Sequence, residues 1–177
     1  MDDAMVKTYR DMRALLPTIR ESISLIPRAS DLKASIPDFS ATDLDGSKVD
    51  NTLFSNYKLT MLNFWGTFCG PCIDEMPELQ EMNSDMPEGT LLVGVVGDAT
   101  GPEYVELAKK IAEKTGVTYM NIVPDEALFD YIYTNIIGYP TTLFIDSNGN
   151  IVGEAVIGKR SREQYKTELD KRLNASE

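Results

Sequence analysis

The sequence predicts an α/β fold: a mixed central sheet with helices on both faces, an N-terminal hairpin, and a helical extension before it. Three observations carry this. Short apolar runs alternate with stretches of helical period, as in sheets built from strands and crossover helices. The runs Leu59–Trp65 and Leu91–Gly97 are apolar without alternation, as strands buried on both faces are. The runs Thr142–Ile145 and Ile151–Ile157 flank a turn at Ser147–Asn150 and read as a closing hairpin.

Residues 1–35 form the predicted extension. Met5, Tyr9, Met12, Leu16, Ile19, Ile23 and Ile26 recur at threes and fours and make one apolar helical stripe. Pro17 falls inside it and removes an N–H, so two short helices or one kinked helix are expected, ending near Pro27. The plainest role is packing on the surface of the main domain. A dimer contact and a spacer from a membrane anchor absent from this chain stay open beside it.

Residues 36–177 form the predicted main domain. Ser40–Asp50 reads as a hairpin turning at Asp45-Gly46. Thr52–Tyr57 connects it to the strand Leu59–Trp65. A helix follows the cysteines to about Met82, bending at Pro77, and Pro87–Gly89 marks a loop. Pro102–Lys114 is an amphipathic helix with Tyr104, Leu107, Ala108 and Ile111 inward and Gly116 at its end. Val117–Val123 reads as a strand, Asp125–Asn135 as a helix, and Ser161 caps a last helix through Leu173. No internal repeat or low-complexity tract interrupts the pattern.

A formal net charge of −11 argues against nucleic acid and against anionic membrane surfaces as partners. The absence of histidine removes the usual ligand of a catalytic zinc or haem iron. No run is long and apolar enough to span a bilayer. No signal peptide is visible at Met1-Asp2-Asp3-Ala4, a start also expected where an anchor has been removed.

The chemistry points to one stretch. Cys69-Gly70-Pro71-Cys72 holds the only two cysteines, at the turn from a buried strand into a helix. Pro71 suits the first helical turn, where its missing N–H costs nothing. The Cys69 sulfur then lies over the free N–H groups of the helix start, which favour a thiolate. Cys72 comes round to the same side, so the pair can close into a disulfide and reopen. The alternative is half of a zinc site, for which two cysteines without histidine leave too few ligands unless Asp or Glu, or a second chain, completes the set. Glu75 is one turn beyond Cys72 and is open to two readings. It is either a solvated helix carboxylate or a carboxylate buried among Ile73, Met76, Phe64 and Trp65 that serves as a general base. Trp65 reads as packing behind the site.

These residues resemble the active site of the thioredoxin superfamily. The chain is most similar there to the TlpA-like and ResA-like bacterial thiol-disulfide oxidoreductases. The matching words are Pro37-Asp38-Phe39, Asp43-Leu44-Asp45-Gly46 and Asn63-Phe64-Trp65-Gly66-Thr67. The Cys-Gly-Pro-Cys follows, then Glu75-Met76-Pro77-Glu78-Leu79 and Gly138-Tyr139-Pro140-Thr141-Thr142-Leu143-Phe144-Ile145-Asp146. The likeness covers about residues 36–173. One position departs from the pattern: Phe68 stands where Trp usually precedes the first cysteine, which keeps an aromatic surface and loses the indole N–H.

The resemblance implies a thioredoxin-like fold in which Cys69 is the nucleophile and Cys72 the resolving thiol. It also implies a cis Pro140 facing the cysteines. Phe68, Gly70, Pro71, Tyr139 and Pro140 would line the groove for a disulfide-bearing protein, held by main-chain hydrogen bonds as an added strand. Glu75 matches an active-site glutamate of the ResA-like branch, counted from the second cysteine. Asn63 stands where thioredoxin has a buried Asp and cannot take a proton at neutral pH. No organic cofactor or metal is needed. The implied role is an extracytoplasmic reductase, anchored to the membrane in a longer protein and refreshed by a membrane thiol carrier. An oxidant that makes disulfides and a non-enzymatic metal-binding or interaction module are the competing functions. The Gly-Pro pair between the cysteines is that of thioredoxin, at about −270 mV against about −120 mV for a strong oxidant, which favours reduction.

Overall fold

The computed structural model describes residues 35–175, and the expected N-terminal helices lie outside them. The described chain runs β1 (Ser40–Asp43), β2 (Lys48–Asp50), α1 (Thr52–Ser55), β3 (Leu59–Trp65), α2 (Gly70–Ser84), β4 (Thr90–Val96) and α3 (Pro102–Thr115). It continues through β5 (Asn121–Val123), α4 (Glu126–Asn135), β6 (Thr141–Asp146), β7 (Val156–Ile157) and α5 (Arg162–Ala175). The strands form one mixed sheet in the order β2-β1-β5-β4-β3-β6-β7. β3, β4 and β5 are parallel, while β6, β7, β1 and β2 add antiparallel pairs at the two sides.

β3 is the centre because every one of its seven residues is buried, as its unbroken apolar run requires. Alternation sends Leu59, Met61 and Trp65 to one face, where they meet Leu79, Met82, Cys72 and Met76 of α2 and Tyr165 and Leu169 of α5. Ala108 of α3 joins the same layer. Phe54 of α1 and Leu128, Tyr131 and Ile132 of α4 are buried as well, outside these two clusters. Asp125 caps α4 through the Leu128 N–H at 2.9 Å and also accepts the Ser40 N–H at 2.7 Å, tying the helix start to β1.

Four elements depart from the sequence reading. Thr52–Ser55 is a single helical turn that buries Phe54. The inner face of α3 is Ala108 and Ala112 with partly buried Val105 and Ile111, while Tyr104 and Leu107 are exposed. The stripe is therefore rotated, with small residues in its middle where α3 lies close to its neighbours. The strand expected from Val117 starts only at Asn121. Gly116 takes φ 74° as the helix C-cap, the Val117 N–H returns to the Ala112 carbonyl, and the Thr118 N–H goes to Gln80 Oε1. Those groups are spent before the ladder begins. The strand expected over Ile151–Ile157 is broken into a bridge at Ile151 and the short β7. Between them Gly153 has φ 73°, and Arg172 takes the Val152 and Glu154 carbonyls at 3.0 and 2.6 Å.

Candidate active site

The cysteines sit where β3 hands over to α2. Asp98, just past β4, accepts the Thr67 N–H at 3.0 Å and the Thr67 hydroxyl at 2.6 Å, which fixes the turn. The Cys69 N–H closes that turn on the Gly66 carbonyl at 3.0 Å. Cys69 is the N-cap of α2, Pro71 lies in the first turn, and Cys69 Sγ accepts the Cys72 N–H at 3.3 Å. The two sulfurs are bonded, with Cα atoms 5.3 Å apart. Cys69 keeps 6% of its surface exposed and Cys72 1%. Gly70 and Pro71 are exposed beside them.

The surface around the disulfide is aromatic. Phe68 is 73% exposed and meets Tyr139 edge-to-face at 5.9 Å. Tyr139 packs against the apolar cluster that holds both cysteines. Its phenol lies across Gly97, where a Cβ would stand 2.1 Å from the hydroxyl. Burial, with the charge of Asp98, pushes the Tyr139 phenol up. The Tyr139–Pro140 peptide bond is cis. Pro140 is buried, and its carbonyl is already taken by the Gly158 N–H at 2.7 Å.

One turn along α2 from Cys72 lies Glu75, with no exposed surface. Asn63 Nδ2 donates to its Oε1 at 3.1 Å, the Tyr165 hydroxyl to Oε2 at 3.1 Å, and the Arg160 N–H to Oε2 at 3.2 Å. Thr142 joins the set through Asn63 Nδ2 at 3.1 Å and the Tyr165 hydroxyl at 3.3 Å. Burial pushes the Glu75 carboxyl above its ordinary 4.5, against the donors and the charge of Lys159. Burial and the nearby Glu75 push the Tyr165 phenol up as well. The hydrogen-bond partners of Glu75 come from β3, α5 and the segment before α5, and the disulfide sulfur of Cys72 is not among them.

The residues named from the sequence therefore fall into two groups. Cys69, Cys72, Phe68, Gly70, Pro71 and Tyr139 gather around the disulfide and Pro140 follows Tyr139 across the cis bond, while Glu75 stands one turn along α2 in a polar pocket. That pocket differs from the apolar setting expected for Glu75. Asn63, Tyr165 and Arg160 line it, and Asp98 shapes the turn above. Trp65 is buried behind the site and donates its Nε1–H to Asn121 at 2.8 Å, over the bare backbone of Gly94.

The Redoxin family description matches residues 32–169. The chain belongs to the Redoxin family. A Bacillus cereus relative, thiol-disulfide oxidoreductase ResA, is 33% identical over 142 residues, which span 76% of this chain and 75% of the relative. Among solved structures, a thiol:disulfide interchange protein DsbE of Chlorobium tepidum matches with TM-score 0.64 and 24% identity. That match covers 82% of this chain and 98% of that one. A secreted disulfide oxidoreductase of Mycobacterium tuberculosis matches with TM-score 0.59 and 23% identity over 77% of this chain and 95% of that one. The two structures share the thioredoxin-like fold. With a bonded Cys69–Cys72 pair at the start of α2, this Redoxin chain is a thiol-disulfide oxidoreductase.

Proposed function

We propose that the chain reduces disulfides in exported proteins, with Cys69 as nucleophile, Cys72 as resolving thiol and Glu75 as the base that serves Cys72. The observation that carries this reading is the place of Cys69: N-cap of α2, sulfur on the Cys72 N–H, beneath an exposed aromatic rim.

In the reduced protein the Cys69 thiolate attacks one sulfur of a partner disulfide. That S–S bond breaks, a mixed disulfide forms on Cys69, and the departing partner thiolate takes a proton from water. Cys72 then passes its proton toward Glu75 and attacks Cys69 Sγ. The Cys69–Cys72 disulfide closes, and the second partner thiolate leaves and takes the proton that Glu75 received. The partner has gained two electrons and two protons, and this chain holds the disulfide. No organic cofactor or metal enters any step. Phe68, Gly70, Pro71 and Tyr139 supply the docking surface, and the Tyr139 backbone beside cis Pro140 pairs with an extended partner strand.

A membrane thiol carrier outside the cytoplasm would return the chain to its dithiol form. Support comes from the secreted Mycobacterium tuberculosis neighbour and from the likeness to ResA. Among the described residues no helix is long and apolar enough to cross a membrane. The direction of transfer is tested by equilibrating the Cys69–Cys72 pair against a thiol buffer. A potential near the thioredoxin value of about −270 mV supports a reductase, and one near about −120 mV supports an oxidant.

A further inference from the structure

Helix α2 carries a row of carboxylates at Asp74, Glu78, Glu81 and Asp85, spaced four, three and four residues apart and therefore on one face. Alone, such a row repels itself and weakens the helix. The segment Lys159–Arg162 runs along it in the same direction. Lys159 Nζ stands 3.9 Å from Asp74 Oδ2, and the Arg160 N–H donates to Glu75. The Arg162 N–H donates to Glu78 Oε2 at 2.8 Å, and the Arg162 guanidinium pairs with Glu81 at 3.6 Å and with Asp85. Ser161 and Gln164 close a capping box across the start of α5, with Ser161 N–H on Gln164 Oε1 at 2.9 Å. Tyr165, in the first turn beyond it, then has its hydroxyl on Glu75.

We propose that Arg162 is a positioning residue for the resolving step: it straps the Lys159–Arg162 segment to α2, which keeps water from Glu75 and holds the Arg160 N–H and the Tyr165 hydroxyl on its carboxylate. This rests on the reading of Glu75 as the base for Cys72. The groups facing Glu75 are consistent with a seal of this kind. Asn63 and Thr142 are buried members of the sheet, and the hydroxyl of Tyr119 is buried within electrostatic reach. Tyr165 comes from α5, and Cys72, Asp74 and Glu78 lie on α2 itself. The bonds from Asn63 and Tyr165 are buried and the one from the Arg160 N–H is only part-buried, so the side covered by Lys159 and Arg160 is where water can enter. Arg162 fits the strap better than a lysine would, because its fork reaches two carboxylates one turn apart.

The test separates the two thiol steps. Reduced protein is mixed with an aromatic disulfide whose thiol is coloured: the first release reports attack by Cys69, the second resolution by Cys72. Arg162→Ala admits water to Glu75 and loosens two of its donors; burial is the larger of the two influences, so the acid limb of the second release moves down by about one pH unit relative to the first release. Arg162→Lys recovers part of that shift. In a Glu75→Gln background, Arg162→Ala produces no shift. Where Arg162→Ala does not fold, Glu81→Gln with Asp85→Asn removes the same contacts from the helix side and is expected to move the limb the same way. An unmoved limb in the Arg162 or helix-side variants, with the limb lost in Glu75→Gln, overturns the strap and keeps the base. A wild-type profile in Glu75→Gln overturns the base, and the strap with it.

Discussion

The Cys72 N–H donates to the Cys69 sulfur at 3.3 Å, so α2 begins by binding the atom that Cys72 attacks in the proposed resolving step. The same turn leaves Cys69 the more exposed of the pair, at 6% against 1%. An anion at that sulfur is stabilised by the helix start and by the amide hydrogen bond. In the reduced protein, alkylation at slightly acidic pH is expected to label Cys69 first, read by mass spectrometry of the peptides. Preferential labelling of Cys72 contradicts the assignment.

Glu75 gives a stability signature with a definite sign. Its carboxyl is raised above 4.5 in the folded protein, chiefly by burial. Below that value both folded and unfolded chains are protonated, and Glu75 contributes no pH dependence. As pH rises from there, the unfolded chain ionises first and folding stability falls, until the folded carboxyl ionises too. Wild type is therefore expected to lose stability relative to Glu75→Gln over that window and to run parallel to it at higher pH. Denaturant melts of the two proteins across acid and neutral pH check this. A difference that is constant with pH contradicts the buried setting.

Gly97 holds Tyr139 in place by having no side chain. A Cβ there would stand 2.1 Å from the Tyr139 hydroxyl, so Gly97→Ala must displace the ring that backs Phe68. The expected result is a several-fold rise in KM for a protein disulfide, with a smaller change for a small aromatic disulfide. Phe68→Ala, which removes the exposed ring, is expected to act in the same direction. Equal effects on both substrates contradict an aromatic docking surface.

Arg172 is a structural counterpart to these residues. Its side chain is buried, takes the carbonyls of Val152 and Glu154, pairs with Glu168, and lies 4.1 Å from the centre of the Phe144 ring. Arg172→Ala leaves the carbonyls of Val152, Glu154 and Glu168 without that donor and is expected to cost about 3 kcal/mol of stability, read from denaturant unfolding. A loss below about 1 kcal/mol would show that water replaces the guanidinium freely.

Most of the fold was legible because its strands are short and apolar and its helices carry strong ends. Leu59–Trp65 could only be a strand buried on both faces, and Gly116 and Asp125 mark helix boundaries by geometry available to few other residues. The closing hairpin was less legible, because Val152 and Glu154 turn their carbonyls to Arg172, a residue twenty positions away in the case of Val152. At the site, the cysteines and their rim were readable from one stretch of sequence and the Tyr139-Pro140 pair. The surroundings of Glu75 were not, since Asn63, Arg160 and Tyr165 reach it from three separate parts of the chain. One signal was present: the carboxylate row on α2 calls for cations, and Lys159, Arg160 and Arg162 cluster in a single short segment.

The most direct measurement is trapping of the intermediate on Cys69. Cys72→Ser removes the resolving thiol and leaves the nucleophile, so a disulfide-bearing protein substrate should accumulate as a mixed disulfide whose linkage maps to Cys69. Cys69→Ser should accumulate none. A mixed disulfide mapped to Cys72 in the Cys69→Ser protein, with none formed by Cys72→Ser, contradicts the assignment of nucleophile and resolving thiol.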